Sequence, residues 1–459
     1  MSALAPQARW LLAALCVLLY AALCLGLWRR ARRRARAARA EAAALAAASA
    51  GSQPVLVAYA SQTGQAEAIA HETARLLHTA GEPVHLCALG AVDAALLART
   101  RTALFVASTY GEGDAPDNAA AFQQGCMARP LALAHLRCGV LALGDRQYAR
   151  FCGFGQALAA WLAASGAEAL FDAVEMDNGA PEALRRWQQH LGQVALLDAT
   201  PAWQAPAFAP WRLAERIHLN PGSAGGAVFH LAFAPPPGVA ADWQSGDLAE
   251  VRVPADPARP RNYSIASIAA DGCVHLLVRA AVRADGRPGL ASQWLCQGLA
   301  PGATVDMRLR PHGNFRLAGN AGRPLILIGN GTGLAGLRGH LRARAAQGAG
   351  PNWLVFGERA AAHDFLHREE LLRWQAEGVL ARLDLAFSRD QAQRVYVQHR
   401  LAAQAGLLRD WVLGQGAALY VCGSLQGMAQ GVDETLRTVL GDAVVDAMVR
   451  DGRLRRDVY

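Results

Sequence analysis

The sequence predicts a multidomain α/β protein: a doubly wound parallel sheet, then a small antiparallel β-barrel, then a second sheet with βα alternation. One membrane-spanning helix is expected ahead of them. Three observations carry this. Short apolar runs ending in small polar loops alternate with helix-spaced segments over 54–198 and again over 319–459, as in parallel sheets covered by helices. Between them, Arg212 to Arg279 is β-rich, with turn signals at Asn220-Pro221-Gly222, Pro235-Pro236-Pro237 and Asp271-Gly272, and 211–318 reads as a barrel domain. Trp10 to Trp28 is an uninterrupted apolar run, about long enough to cross ~30 Å of hydrocarbon as a helix.

The amino terminus accounts for the charge. The net charge is +8, and the first forty residues hold eight Arg and no acid. The rest is neutral overall, so the basicity is not a nucleic-acid footprint. Because the Arg cluster follows the apolar run, the positive-inside rule puts the body of the protein in the cytoplasm, anchored in the inner membrane by residues 10–28. A cleaved signal peptide would carry its charge before the run. Residues 29–53 read as a basic, Ala-rich tether. The nine Cys form no C-x-x-C pair, so neither a disulfide framework nor a zinc site is indicated. There is no Lys, so any cationic phosphate ligand must be a guanidinium, which binds in a bidentate way.

In the first sheet, Val55 to Ala60 is a strand running into Ser61-Gln62-Thr63-Gly64-Gln65-Ala66, and Ala66 to Ala80 has helical spacing. Hydroxyls and N–H groups at a helix N-terminus suit a phosphate monoester, although an ordinary N-capped turn also favours Ser and Thr. Two further loops sharpen the reading. Ser108-Thr109-Tyr110-Gly111-Glu112-Gly113-Asp114 follows the strand Leu104 to Ala107, and Gly144-Asp145-Arg146-Gln147-Tyr148 follows Val140 to Leu143. Both put a Tyr among small polar residues at a strand end. Two such rings can sandwich a flat isoalloxazine while Gly lets the backbone approach its edge. The site is read as an FMN site.

Residues 199–210, rich in Pro, Ala and aromatics, read as a linker. Beyond the barrel, the predicted strands are Leu325 to Ile328, Trp353 to Phe356, Arg382 to Ala386 and Leu419 to Cys422. Gly329-Asn330-Gly331-Thr332-Gly333 follows the first of them and precedes a helix, the context a dinucleotide loop requires.

These motifs carry a resemblance. The first module resembles the flavodoxin family, and TYGEGDAPDN is especially similar to diflavin reductases. Arg261-Asn262-Tyr263-Ser264 resembles the R-x-Y-S motif of the ferredoxin–NADP reductase family. The resemblance implies a Rossmann-like NADPH domain beside an FAD barrel. It implies that Arg261 pairs with the FAD pyrophosphate, Tyr263 stacks on the isoalloxazine, and Ser264 lies near N5. Gly289-Leu290-Ala291-Ser292 matches the second FAD loop, where Ser292 would hold pyrophosphate oxygens. Ser388-Arg389 and Arg394-x-Tyr396-x-Gln398 match the 2′-phosphate pocket that selects NADPH. Ser264, Cys422 and Asp457 match the residues clustered at the hydride-transfer site, and terminal Tyr459 matches the aromatic that covers the flavin. Without the resemblance, Cys422 would be a buried strand Cys and the tail a frayed end.

The sequence departs from the family in four places. Asn330 and Gly336 stand where Pro is usual, and Ser424 stands where Asp is common. Gly246-Asp247-Leu248 is followed almost at once by Arg261, leaving no room for the helical connecting domain of the sulfite reductase flavoproteins and microsomal NADPH–haemoprotein reductases. The implied function is a membrane-anchored NADPH-dependent diflavin reductase of NADPH–haemoprotein reductase type, passing electrons from NADPH to FAD to FMN. The acceptor would be a haem protein, an iron centre or a ferric chelate. Two alternatives stand beside it: the flavoprotein component of an assimilatory sulfite reductase, and a non-catalytic flavin-binding sensor or scaffold.

Overall fold

The computed structural model describes residues 53–146, 148–194, 207–238, 242–283 and 286–459. Three sheets organise them. The first holds β1 (Val55–Ala60), β2 (Val84–Ala88), β3 (Thr102–Ser108), β4 (Arg137–Gly144), β5 (Glu168–Ala169) and β6 (Val174–Asp177). All its pairings are parallel, in the order β2-β1-β3-β4-β5, with β6 also on β4. The central strands β1, β3 and β4 are largely apolar and buried because both their faces are covered. Leu56, Ala58 and Phe105 pack against Phe154, Leu158 and Trp161 of helix Gly153–Ala164. Val55, Val57 and Leu104 pack against Ile69 and Leu77 of helix Gln65–Thr79 and Trp187 of helix Pro181–Val194.

The second sheet is antiparallel and six-stranded: β7 (Ala209–His218), β8 (Val228–Ala234), β9 (Leu248–Val253), β10 (Asp256–Ser264), β11 (Val274–Arg279) and β12 (Thr304–Arg310). Its order is β10-β9-β12-β7-β8-β11. Alternate residues, among them Trp211 and Leu213, Leu231 and Phe233, Ala249 and Val251, turn into one core, as a period of two requires. The end strands curl together: the Ala266 N–H, just past β10, donates to His275 O of β11 at 2.8 Å. The linker expected over 199–210 is corrected at its end, since β7 already begins at Ala209. The connection from β9 to β10 is a two-residue turn.

The third sheet is parallel: β13 (Leu325–Asn330), β14 (Asn352–Glu358), β15 (Arg382–Phe387), β16 (Ala418–Gly423) and β17 (Leu454–Val458), in the order β15-β14-β13-β16-β17. The carboxy-terminal tail is therefore an edge strand, in which Asp457 pairs with Cys422. Sheets of this kind bind ligands where the strand order reverses. That point lies between β1 and β3 in the first sheet and between β13 and β16 in the third.

The apolar run at residues 10–28 and the tether to residue 52 lie outside the described residues. Among the described residues no helix is long and apolar enough to cross a membrane. The expected single-pass placement in the inner membrane is corrected on that finding and is not carried forward.

Candidate functional site

The reversal points of the two parallel sheets and the mouth of the antiparallel sheet face one cavity of about 1110 Å³. The loop after β1 turns at Gly64, whose φ of 80° and close approach to the Pro311 carbonyl leave no space for a side chain. Ser108 secures this loop, donating from Oγ to Ala60 O at 3.0 Å and accepting from the Gln62 N–H at 3.3 Å. Gln62 and Asp117 are tied by two further bonds. The Ser61 hydroxyl is buried without a partner, an unspent donor in a loop suited to a phosphate. Ala66 is buried in the helix that follows.

The Ser108–Asp114 loop is closed by reciprocal bonds between Tyr110 and Asp114 at 2.9 and 2.8 Å. Thr109 Oγ1 accepts from the Phe154 N–H at 3.3 Å. Tyr110 and Tyr148 both line the cavity with Gly111, Gly144 and Asp145. The Tyr110 hydroxyl is buried and unpartnered, and burial raises its pKa above the usual phenol value. Gly113 packs under Arg150, outside the lining.

From the second sheet, Tyr263, Ser264 and Ser292 reach the cavity. Arg261 turns aside to Asp256 at 3.0 Å. Gly289 precedes the short helix Leu290–Gln293 as its N-cap, Ala291 is buried within it, and Ser292 Oγ accepts from the Ala281 N–H at 3.1 Å.

The third sheet completes the cavity. Gly331 and Thr332 line it, and a side chain at Gly333 would collide with the Cys422 carbonyl. Ser264 Oγ donates to Asp457 Oδ2 at 2.6 Å, with Cys422 Sγ 3.8 Å from the same oxygen. Burial, reinforced by Asp457, raises the Cys422 thiol well above its usual pKa, so it stays protonated. Tyr459 is held by its N–H to Gly423 O at 3.0 Å, and its hydroxyl lies 3.1 Å from Thr332 Oγ1. Ser388, Tyr396 and Gln398 line the far end, and Gln398 Oε1 is buried without a partner. Arg389 and Arg394 are exposed beside them, outside the lining.

The structure also brings in residues that the motifs did not single out. Arg279 and Glu358 pair inside the cavity. Arg310 donates to Thr63 O at 2.8 Å, His312 Nε2 lies 2.7 Å from Gln62 O, and Asn314 donates to Ser61 O. Arg456 NH1 meets Asp117 at 2.8 Å and Arg456 NH2 meets Asp433 at 2.7 Å, joining the first and third sheets. Arg456 carried a signal as the neighbour of Asp457 in the tail, and Asp117 as part of TYGEGDAPDN.

Residues 57–187 match the Flavodoxin family and residues 327–434 the Oxidoreductase NAD-binding domain family. Similar curated proteins carry the name sulfite reductase (NADPH) flavoprotein alpha-component. The one from Vibrio cholerae serotype O1 is 29% identical over 542 aligned positions, covering 89% of this chain and 88% of its own length. The one from Shewanella oneidensis is 30% identical, covering 84% and 85%. The one from Shewanella sp. MR-4 is 31% identical, covering 86% and 85%. An alignment of 542 positions exceeds the 459 residues of this chain, so that relative carries inserted segments the chain lacks.

Proposed function

Because this chain belongs to the diflavin reductase family, we propose that it is the electron-donating flavoprotein of a sulfite reductase-type system. It is an NADPH-dependent diflavin reductase, and its cofactors are FMN, FAD and NADPH. When bound, the two flavins convert a two-electron hydride donor into single-electron transfers. The acceptor is a haem or iron–sulfur centre of the kind a sulfite reductase haemoprotein carries. The named relatives support this over a membrane-bound haemoprotein reductase or a ferric chelate reductase.

One observation carries the reading. Loops suited to a phosphate monoester, to a flavin dinucleotide and to a nicotinamide dinucleotide open onto a single cavity. Thr63 and the Tyr110 ring, which line the cavity, fit FMN, with the orphaned Ser61 hydroxyl buried just outside that lining. Tyr263 and Ser292 fit FAD. Thr332, Ser388, Tyr396 and Gln398 fit NADPH, with Arg389 and Arg394 at the rim for the 2′-phosphate. The Asp457 carboxylate, oriented by the Ser264 hydroxyl, lines the cavity where it would stabilise positive charge on a nicotinamide held there. The protonated Cys422 thiol fills the space beside them without adding charge. Thr332 and the Gly423 carbonyl hold Tyr459 over the site, where a nicotinamide would have to replace it.

The test is NADPH-driven reduction of a sulfite reductase haemoprotein component by the purified protein, read as sulfide formed from sulfite. Sulfide formation at about one third of the NADPH consumption rate supports the proposal, because sulfite takes up six electrons and each NADPH supplies two. A second reading, delivery to a different haem protein, is favoured by the two-residue turn between β9 and β10, where the family carries its connecting domain. Rapid cytochrome c reduction with no sulfide would select that reading.

A further inference from the structure

Arg279 and Glu358 form an ion pair that no motif explains. Arg279 ends β11 of the antiparallel sheet, and Glu358 ends β14 of the nucleotide sheet. The Glu358 side chain is 4% exposed and that of Arg279 28%. Both border the Gly331 loop. A methyl group built on Gly331 would stand 3.3 Å from an Arg279 guanidinium nitrogen and 3.4 Å from Glu358 Oε1.

Dinucleotide sheets often end their second strand in an acid that binds a ribose hydroxyl. Glu358 holds that place, but its oxygens are committed. Oε1 is paired with Arg279, and Oε2 accepts from the Arg359 N–H at 2.9 Å. Arg279 is anchored in turn by a 3.0 Å bond to Gly226 O. Burial pushes the Glu358 carboxyl above its usual range, and Arg279 opposes that push. A carboxylate so enclosed, and left unpaired, would oppose any anion at the adjoining loop.

We propose that Arg279 is a positioning residue for the nicotinamide dinucleotide: by cancelling Glu358 it lets the diphosphate settle on the Gly331 loop, for NADPH and NADH alike. This rests on the reading of that loop as the nucleotide cradle. It differs from 2′-phosphate selection, which acts on NADPH alone. A cavity that takes two dinucleotides offers two diphosphates, and contact with the Gly331 loop assigns Arg279 to the nicotinamide one.

The experiment compares the holoenzyme with R279M, E358Q and R279M/E358Q by titration with NADP⁺ and NAD⁺, steady-state kinetics and release of bound FAD. R279M should weaken both nucleotides by about tenfold or more, raising KM far more than it lowers kcat, with FAD retained. Adding E358Q to it should restore most of the affinity. E358Q alone should bind both nucleotides more tightly, and this arm stands even if R279M does not fold. Wild-type affinity in R279M, no rescue in the double variant, weaker binding in E358Q, or loss of FAD from R279M would each overturn the proposal. A wild-type protein that binds no NADP⁺ would instead sink the reductase reading itself.

Discussion

Asn330 and Ser424 clasp each other across the reversal point of the nucleotide sheet. Asn330 Nδ2 donates to Ser424 Oγ at 3.1 Å, and the Ser424 N–H donates back to Asn330 Oδ1 at 3.0 Å. These are two of the positions at which the sequence leaves the reductase pattern, with Asn for Pro and Ser for Asp. Physically they are one feature. The amide that replaces the ring supplies both the donor and the acceptor that the Ser424 segment uses, binding the loop after β13 to the loop after β16.

The pair should therefore behave as a unit. Asn330→Ala and Ser424→Ala should each cost about 1 kcal/mol, with a coupling of roughly 0.5–1.5 kcal/mol in the double variant. Asn330→Pro should not substitute for the pair, because φ at Asn330 is −135° and a proline ring holds φ near −65°. Thermal unfolding of the three Ala variants checks this. Strictly additive losses would mean that the bond from Asn330 Nδ2 to Ser424 Oγ contributes nothing.

The same pair marks what the sequence could convey. Apolar runs such as Val55–Ala60 and Leu325–Ile328 are strands because both their faces are buried, and a continuous run says so. The loops after them were legible because their chemistry is local: Ser61 to Gly64, Tyr110, Gly331 to Gly333. The tail was not legible as a strand. Leu454–Val458 is short and carries Arg455, Arg456 and Asp457, and it is a strand only because β16 offers an open edge. Pairings between distant segments were silent too. Arg279 with Glu358 and Arg456 with Asp117 join residues 79 and 339 positions apart, and no periodicity in the chain announces them.

Nucleotide selection should reside at the rim. Arg389 is exposed at the mouth lined by Ser388, Tyr396 and Gln398. Arg389→Ala should cost about 1.5–3 kcal/mol of NADPH binding and leave NADH nearly untouched, since only NADPH carries the 2′-phosphate. Steady-state kinetics with both nucleotides reads this. An equal loss for both would place the phosphate elsewhere.

Tyr459 should act as a filter. If the ring covers the flavin, it would have to move for a nicotinamide to enter, breaking the contact between its hydroxyl and Thr332 Oγ1 at 3.1 Å. Displacement is a cost that binding at a remote phosphate offsets. Tyr459→Ala should therefore raise NADH-driven dye reduction more than NADPH-driven reduction. Unchanged rates with both nucleotides and an unchanged flavin spectrum would remove the ring from the site.

Acid should weaken the joint between the antiparallel and nucleotide sheets. The ring of His230 lies 4.7 Å from that of His275 and 5.2 Å from that of His367, with Arg338, Arg342, Asp271 and Glu370 around them. Burial first, then neighbouring cationic groups, lowers His230 to about 2, His367 to about 3 and His275 to about 4. Unfolded histidine takes up its proton near pH 6.5, so between about pH 6.5 and 4 the unfolded chain binds protons that the folded one refuses. Stability from these groups is complete above pH 6.5. It falls as pH drops, by at most about 1.4 kcal/mol per pH unit for each histidine. Thermal midpoints between pH 7.5 and 4.5 should fall less steeply in His230→Asn, and parallel slopes would exclude the cluster as the cause.

In the proposed relay, electrons reach the acceptor through two flavin sites in series. The most direct measurement is NADPH-driven reduction of cytochrome c and of ferricyanide by protein stripped of FMN but retaining FAD. Ferricyanide reduction should persist, cytochrome c reduction should be lost, and added FMN should restore it. Full cytochrome c reduction by the FMN-free protein would contradict the relay.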